Sequence, residues 1–428
     1  MNYDQALEFV HGIARFGSKP GLRRVELLLE RMGNPHRELT FIHVAGTNGK
    51  GSTCTMLSRV LAKAGYKTGL YISPFVLDFK ERIQINNEMI EAEEFARSAT
   101  LVKQHWDVLD KEGDTPSEFE VVVACAFDYF LRQKVDIVVL EVGMGGRLDA
   151  TNVIDTPLVS IITSLGYDHM EYLGNTIDAI AFEKCGIIKP NGVTVCYPEQ
   201  EPEAIEVIRR RCAEESNPLV FPKAPEVLGM DFFGTRMKYD GLELTVPLIG
   251  EHQVKNASTA LAALAVLREN GSISVSDDDI VQGIAQASFP ARLEILGHDP
   301  LIILDGAHNK GGAEVLGKAL DMLGGKKIHA VMGMLSNKDA TGILREILPR
   351  CSTLTTVCNT DNPLATPAED LAAQARAFGG ELKVYAADSP REGVVSAYAR
   401  CGPDDVLLAC GSLYLASELR PELLKLGK

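Results

Sequence analysis

The clearest chemical pattern in the chain is a glycine-rich stretch, Gly46-Thr47-Asn48-Gly49-Lys50-Gly51-Ser52, between an apolar β-branched run and a helical pattern. Its glycines let the backbone curl so that successive N–H groups point inward, and the start of a helix adds the positive end of a dipole. Lys50 supplies a mobile cation and Ser52 a hydroxyl that can bind Mg²⁺. The pattern predicts a phosphate-binding loop, although a glycine separates the lysine from the serine, unlike the common G-x-x-x-x-G-K-[ST] spacing. The competing interpretation is a structural turn that carries an exposed lysine.

A carboxylate follows the next apolar strand pattern. Residues 136–140 read as a buried strand that ends in Glu141. Open α/β sheets place ligands at the carboxyl ends of their strands, and Mg²⁺ prefers carboxylates, hydroxyls and water beside phosphate oxygens. Glu141 is therefore a candidate metal ligand, against the alternative of a helix cap or a solvated residue.

Two further polar segments end at the same predicted sheet edge. His169 follows Asp168 after the strand pattern 158–163, and Ser73 follows the strand-like residues 70–72. His169 by itself is more typical of a structural histidine than of a metal ligand. The convergence of these segments favours a second metal position that includes it.

The elements that must position these residues alternate between apolar β-branched runs and helical patterns, which is typical of parallel sheets covered by helices. A helix is expected over 53–64, and short strands around an Asp240-Gly241 turn predict a small antiparallel sheet within 217–250. After the connection near 293 the alternation restarts, with strands expected near 301–304, 328–333, 353–358, 382–385 and 405–409. The prediction is an α/β protein with a phosphate-loop domain over 1–292 and a doubly wound domain over 293–428.

Composition narrows the class of protein. The 428 residues carry 43 basic and 58 acidic side chains, a net charge of −15, which argues against nucleic acid or an anionic membrane as a partner. The 9 cysteines form no C-x-x-C pair, and no apolar run reaches the length of a membrane span. The amino-terminal residues carry Asp4 and Glu8 and lack the pattern of a secretory signal. A cytoplasmic protein with reduced thiols is expected.

Beyond single motifs, the chain resembles the folylpolyglutamate synthases and dihydrofolate synthases of the Mur ligase superfamily. The most specific matches are GTNGKGS (46–52) and LEVGMGGRLDATN (140–152). The others follow in family order over nearly the whole chain: YISPF (71–75), ERIQINNEMI (81–90), SEFE (117–120), YDHMEYLG (167–174), EKCGIIKP (183–190), HQVKNASTALAAL (252–264), ARLE (291–294), LDGAHN (304–309) and CGSLYLASELR (410–420).

The resemblance implies an amino-terminal P-loop ATPase domain of Mur ligase type and a carboxy-terminal Rossmann-like glutamate ligase domain. It also implies ATP-dependent amide-bond formation. A carboxylate of dihydropteroate or of a folate would attack the γ-phosphate of ATP, and the amine of L-glutamate would then attack the acyl phosphate. ATP and two Mg²⁺ ions are the implied cofactors, and a monomer is expected.

The resemblance also implies roles for particular residues. ATP-binding residues would be Asn48, Gly49, Lys50, Gly51, Ser52, Asn256, Arg292, Asp305 and His308. Metal-site residues would be Ser52, Ser73, Glu141 and His169. Catalytic residues would be Lys50, His169 and Lys184, with Lys184 carbamylated. Pteroate or folate would contact Phe119, Leu148, Asp149 and Ala150.

Without the resemblance, several of these residues would be assigned purely structural roles. By itself, Lys184 would be interpreted as a solvated helix lysine, Asp305 as a strand-end cap and Phe119 as a residue of the hydrophobic core. Arg292, at the expected connection between domains, suits a phosphate clamp. One position departs from the family, because Phe75 follows Ser-Pro where many members have histidine.

Three other functions fit parts of the pattern. Another Mur-like amide ligase shares the same motifs, and a P-loop regulatory or transport ATPase would share the phosphate loop and Glu141 but has no use for DGAHN or ARLE. A nicotinamide dehydrogenase is disfavoured because no G-x-G-x-x-G follows the strand at 301–304.

Overall fold

Parallel strands with continuous apolar sequences form the centre of both halves of the chain. The computed structural model describes residues 1–14, 21–232, 234–288, 290–359, 362–378 and 382–427. Within them the chain divides into two compact units. Unit 1 comprises residues 1–228, 236–246 and 253–287, and unit 2 comprises 229–235, 247–252 and 288–428.

The sheet of unit 1 carries the phosphate loop. Its strands are β1 (Phe41–Ala45), β2 (Thr68–Tyr71), β3 (Ile83–Ile85), β4 (Glu88–Met89), β5 (Ile137–Glu141), β6 (Val159–Ile162), β7 (Thr194–Cys196) and β8 (Leu219–Val220). Their order is β4-β3-β2-β5-β1-β6-β7-β8, and all neighbours pair in parallel except β2 with β3 and β3 with β4. The two strands at the heart of the sheet, β1 and β5, are buried at every residue, which explains why they read as apolar runs without alternation. The short β3–β4 hairpin was not predicted from the sequence.

Helices cover both faces of this sheet. They are α1 (Tyr3–His11), α2 (Arg23–Arg31), α3 (Lys50–Lys63), α4 (Ala92–Glu112), α5 (Glu118–Arg132), α6 (Met170–Leu173), α7 (Ile177–Lys184), α8 (Pro202–Glu214), α9 (Glu251–Glu269) and α10 (Asp277–Ala285). Short 3₁₀ helices occur at Pro35–Glu38, Phe79–Arg82, Ala150–Val153 and Cys185–Ile187. Helix α5 contributes Phe127 and Phe130 to the core against β1 and β5, and α3 lies on the other side with α10. Helix α3 begins at Lys50, three residues earlier than the predicted Thr53, so its first turn belongs to the glycine-rich stretch.

The predicted small sheet is present. Strands β9 (Glu226–Asp231), β10 (Gly234–Tyr239) and β11 (Leu242–Val246) lie in the order β11-β10-β9. Asp240 and Gly241 join β10 to β11 with φ of 51° and 88°, the left-handed pair that a two-residue hairpin turn requires. Phe232 lies in the turn after β9, and Phe233 lies outside the described residues.

The main sheet of unit 2 is doubly wound. Its strands are β12 (Glu294–His298), β13 (Leu301–Leu304), β14 (Ile328–Met332), β15 (Thr353–Thr356), β16 (Lys383–Ala386) and β17 (Val406–Cys410), in the order β12-β13-β17-β14-β15-β16. Its helices are α11 (Lys310–Asp321), α12 (Ala340–Ile347), α13 (Ala368–Arg376), α14 (Pro390–Tyr398) and α15 (Leu413–Leu426), with a 3₁₀ turn at Leu348–Arg350. Strand β12, which sequence reasoning missed, pairs antiparallel with β13, and the other neighbours are parallel.

All 9 cysteines are free thiols. Among the described residues, no helix has the length and apolarity needed to cross a membrane.

Candidate active site

The phosphate loop connects β1 to α3 and is tied to the segment that follows β6. The backbone N–H groups of Thr47 and Asn48 both donate to the Ser164 carbonyl, at 2.8 and 3.2 Å. The Thr47 hydroxyl donates to the Gly166 carbonyl at 3.0 Å and accepts from the Gly166 N–H at 3.1 Å. The loop is therefore held in shape before any ligand arrives.

Two glycines of the loop are required by close approach. A Cβ on Gly46 would overlap the Thr163 hydroxyl, and one on Gly49 would overlap the Asn256 side-chain amide. Gly49 also has a φ of 85°, which residues with a side chain rarely adopt. The predicted nucleotide residue Asn256 thus lies directly against the loop, and it packs there because Gly49 leaves it room.

The beginning of α3 is suited to bind anions. Gly49 caps the helix without a side-chain hydrogen bond, and an α-helix leaves its first N–H groups without intrahelical acceptors. Lys50 lies over the loop, where its Nζ donates to the carbonyls of Gly46 at 3.1 Å and Thr47 at 3.4 Å. Backbone dipole and side-chain charge therefore act at the same place.

Ser52 and α9 form a buried polar contact beside the loop. The Gln253 side-chain amide donates to the Ser52 hydroxyl at 3.3 Å and accepts from the Asn256 amide at 3.0 Å. Sequence reasoning assigned no role to Gln253, although two amides three residues apart in one helix lie on the same face and already indicate a polar patch there.

Glu141 and Ser73 meet at the carboxyl edge of the sheet. Glu141 ends β5, is 4% exposed, and lies beside Val44 of β1 in the parallel register. Its carboxylate accepts the Ser73 N–H at 3.1 Å. Burial holds the pKa of the Cys54 thiol well above its usual range, and Glu141 raises it further while Lys50 opposes the rise. The carboxylate and the ammonium therefore both act on the first turns of α3.

His169 occupies a more open position. Its side chain is 44% exposed, its backbone is left-handed with a φ of 51°, and its N–H donates to the Asp168 carboxylate at 2.9 Å. Within the part of the chain that the structure describes, no three His, Cys, Asp or Glu side chains approach closely enough to form a metal site by themselves.

Lys184 is buried at the end of α7, so the alternative interpretation, a solvated helix lysine, is wrong. It is 5% exposed and its Nζ donates to the Gly46 carbonyl at 2.8 Å. Burial lowers the pKa of Lys184 to about 7, the Lys50 charge lowers it further, and Asp168 and Asp149 partly oppose the change. The α7 end can approach because Gly146 has no side chain, since a Cβ there would lie 2.8 Å from the Lys184 carbonyl.

One pocket of unit 1 collects these segments. It is lined by Gly46, Thr47, Lys50, Gly143, Met144, Gly145, Asp168, His169 and Lys184. Four separate stretches of the chain, from residue 46 to residue 184, thus share one cavity beside the loop.

The predicted pteroate residues lie beside that pocket wall. A Cβ on Gly143 would overlap the Phe119 ring and lie 3.1 Å from the Asp149 carboxylate. Asp149 accepts the Met144 N–H at 2.9 Å, while Leu148 is partly exposed and Ala150 is buried at the start of a 3₁₀ helix.

Phe75 lies close by in sequence to Ser73. The Phe75 ring packs against Phe79 at 5.7 Å, and the Arg82 guanidinium lies 5.3 Å from its centre. An aromatic contact with a cation therefore occupies the position where many family members have histidine.

In unit 2, the predicted nucleotide residues gather around Gly306. A Cβ on Gly306 would lie 3.1 Å from the Arg292 guanidinium, and the His308 ring contacts the Gly306 carbonyl at 2.9 Å. The buried Asp305 carboxylate accepts the N–H groups of Leu293 and Ala307, each at 2.8 Å. Burial raises the pKa of Asp305 and the Arg292 charge opposes the rise. Asp305 therefore organises its own loop, as the cap interpretation anticipated.

Comparison with known proteins decides the family. The Mur ligase middle domain matches residues 44–264, and the Mur ligase glutamate ligase domain matches 291–413. A dihydrofolate synthase/folylpolyglutamate synthase of Bacillus subtilis is 36% identical over 434 residues, covering 98% of this chain and 99% of the relative. The chain belongs to the folylpolyglutamate synthase and dihydrofolate synthase family. Members are ATP-dependent ligases that add glutamate to folates, and this chain is such a ligase.

Solved structures agree with this assignment. Folylpolyglutamate synthase of Mycobacterium tuberculosis, complexed with ADP and AMPPCP, superposes with a TM-score of 0.87 at 30% identity, covering 99% of both chains. The structure of Escherichia coli FolC with DHPP and ADP also gives 0.87, at 28% identity, and covers 99% of this chain and 98% of that one. The ligase thus has the predicted fold, and its phosphate loop belongs to an ATP-binding protein. The ATPase and dehydrogenase alternatives are wrong.

Proposed function

We propose that this ligase joins L-glutamate to a folate or dihydropteroate carboxylate through an acyl phosphate formed in the unit 1 pocket. The observation that carries the proposal is the convergence of Lys50, Lys184 and the α3 amino terminus on one cavity. Phosphoryl transfer needs little covalent help from a protein, so positioning and charge stabilisation account for most of its catalysis. Backbone amides and Lys50 supply both at this loop.

The nucleotide-binding residues are proposed to act in two groups. Asn48, Gly49, Lys50, Gly51 and Ser52 would bind phosphates from unit 1, together with Asn256, which already contacts Gly49. The residues around Gly306, namely Arg292, Asp305 and His308, are proposed as the nucleotide-binding residues of unit 2. Asp305 acts in this scheme by shaping its loop, because both of its oxygens already accept backbone N–H groups.

Magnesium suits the donors that unit 1 offers. The Ser52 hydroxyl and the Glu141 carboxylate, with Ser73 beside it, are oxygen ligands, and Mg²⁺ usually takes one or two carboxylates and completes its shell with water and phosphate. When bound, it would neutralise charge that develops on the transferred phosphoryl group. We propose a second ion near His169, whose exposed ring and left-handed backbone present it at the pocket.

Lys184 is proposed to be carbamylated. An unprotonated amine is required to attack carbon dioxide, and a pKa near 7 leaves about half of the Lys184 side chains neutral at neutral pH. The lone pair of the neutral amine forms the new N–C bond while one C–O π bond of carbon dioxide opens, and the nitrogen then loses a proton to water, which leaves an anionic carbamate. The product would attract Lys50, whereas the protonated amine is repelled by it. Lys184→Ala should lose most activity and regain part of it with small carboxylates, and undiminished turnover would refute this role.

The acceptor substrate is proposed to contact Phe119, Leu148, Asp149 and Ala150, which lie along the same wall as Met144. Asp149 acts in this scheme by shaping that wall, because both oxygens of its buried carboxylate already accept hydrogen bonds from Met144 and Thr151. The composition and the free cysteines support a cytoplasmic protein, and a monomer is proposed.

A product assay tests the proposal. Purified protein is given ATP, Mg²⁺ and L-glutamate with either dihydropteroate or tetrahydrofolate, and products are weighed by mass spectrometry. We expect ADP release that depends on both glutamate and the pteroate substrate, and a mass increase of one glutamyl residue. ADP release at the same rate without either substrate, or no mass increase, would refute it.

A further inference from the structure

A buried histidine lies in the strand that carries the phosphate loop, away from the pocket itself. His43 is in the middle of β1, three residues before Gly46, and is completely buried. Its Nε2 lies 2.9 Å from the hydroxyl oxygen of Thr151, which is also completely buried.

The direction of this hydrogen bond follows from the neighbouring one. The Thr151 hydroxyl has a single hydrogen, and it donates to the Asp149 carboxylate at 2.6 Å. His43 must therefore donate through Nε2–H, and its Nδ1 carries a lone pair. That Nδ1 is buried and has no hydrogen-bond partner among the described residues. Burial lowers the pKa of His43 to about 3, so the ring is neutral and keeps one tautomer.

Asp149 links Thr151 to the pocket wall through hydrogen bonds. Its Oδ1 accepts from the Thr151 hydroxyl and from the Thr151 N–H at 3.0 Å, and its Oδ2 accepts from the Met144 N–H at 2.9 Å. Met144 lines the pocket with Lys50 and Lys184. A continuous chain of hydrogen bonds thus joins β1, which leads into the phosphate loop, to Met144 in the lining of the same pocket.

We propose that His43 and Thr151 are positioning residues for the ligation reaction, which set the distance between the phosphate loop and the pocket wall at residues 143–145 by holding Asp149 in one orientation. The inference rests on the proposed function, since that wall is where the acceptor substrate would lie. A displacement of about 1 Å between reacting groups can lower a rate by about 100-fold, so a small loss of order here should be visible in turnover.

Thr151→Val tests the proposal because it removes the hydroxyl and keeps the shape. We expect kcat to fall about 10- to 100-fold, with a much smaller change in KM for ATP. Thr151→Ser keeps the hydroxyl and should recover most of the lost turnover. The matched control is Thr194→Val, because Thr194 is equally buried and its hydroxyl donates to a buried Asn217 side chain at 2.8 Å, in β7.

The control separates a positioning role from a structural one. Thr151→Val loses two buried hydrogen bonds and Thr194→Val loses one, so both variants should lose some stability. Only Thr151→Val should lose turnover measured per folded molecule well below its unfolding temperature. Equal kcat values for the two variants would overturn the proposal.

Variants of His43 test the proposal in a second way. His43→Leu should lower kcat less than Thr151→Val, since Thr151 still holds Asp149, and His43→Gln, which can present an amide N–H near the Nε2 position, should recover part of the loss. Because His43 acts through Thr151, the double variant should be no slower than Thr151→Val alone within about twofold. Effects that multiply would overturn the serial arrangement.

One readout does not depend on activity. In ¹⁵N-histidine-labelled protein, His43 should give a resonance of an Nε2-protonated neutral ring that does not titrate between pH 5 and pH 8, and the signal should change in Thr151→Val. A titrating or Nδ1-protonated His43 would refute the hydrogen-bond chain even if ligation is confirmed. If wild-type protein forms no glutamylated product, the proposed function fails while this spectrum still tests the chain.

Discussion

The burial of Lys184 leads to a prediction that stability and activity oppose each other at this residue. Its pKa in the folded protein is about 7, against an ordinary value of 10.5. In this range the unfolded chain binds more protons than the folded one, so the free energy of unfolding must rise with pH. The destabilisation is complete below pH 7 and is relieved as pH rises from 7 towards 10.5.

The size of this destabilisation follows from the linkage between proton binding and folding. One pKa unit corresponds to about 1.4 kcal/mol, so the lowered pKa of Lys184 reduces the free energy of unfolding by about 4 kcal/mol at pH 7 and by about 2 kcal/mol at pH 9. Lys184→Met removes this cost and keeps most of the volume, but it also removes the hydrogen bond to the Gly46 carbonyl, worth about 1 kcal/mol. We expect the variant to be more stable by about 3 kcal/mol at pH 7 and by about 1 kcal/mol at pH 9, while ligase activity is lost.

Urea unfolding of both proteins at the two pH values measures this difference, with the transition of unit 1 fitted separately because a chain of two units need not unfold in one step. The buffers must be free of carbon dioxide. Lys111→Met, on the exposed end of α4, is the control and should change stability by less than about 0.5 kcal/mol.

Two results would contradict the reasoning. A stability gain that is the same at pH 7 and pH 9 would mean that Lys184 does not titrate abnormally, and no gain would mean that the burial of its charge carries no cost. Added bicarbonate should stabilise the wild type and leave Lys184→Met unchanged, because only the lysine can form a carbamate. If bicarbonate stabilised the wild type and Lys184→Met equally, carbamylation of Lys184 would be excluded as the source of that stabilisation.

The remaining predictions concern the loop and its neighbours. Gly49→Ala should weaken nucleotide binding at least 10-fold, because its φ of 85° and the overlap with Asn256 both oppose a side chain; ADP titration by calorimetry measures this, and unchanged affinity would exclude a rigid loop. Glu141→Gln should raise the Mg²⁺ concentration for half-maximal turnover about 10-fold or more, whereas Glu206→Gln on the exposed surface of α8 should not; equal metal dependence would remove Glu141 from the site. Gln253→Leu should raise KM for ATP several-fold by freeing the Ser52 hydroxyl, and steady-state kinetics with unaltered KM would assign Gln253 a packing role only.

Much of the fold could be predicted because the signals were local. The central strands read as continuous apolar runs since both faces of a parallel sheet are covered, and the glycine-rich loop lay between a strand and a helix as its chemistry requires. The β3–β4 hairpin and β12 were missed because edge strands are short and only partly buried, so they carry little periodicity.

The sequence by itself determined the family, the parallel α/β architecture and the identity of the phosphate loop, because each rests on residue types at short, fixed spacings. Only the tertiary structure decided that Lys184 is buried against Gly46, and that both carboxylate oxygens of Asp305 accept hydrogen bonds from backbone N–H groups near its own loop. It alone joined His43 to Asp149 through Thr151. Burial and hydrogen-bond partners depend on which distant segments meet, and in this protein they meet where glycines such as Gly49 and Gly146 leave space for another segment.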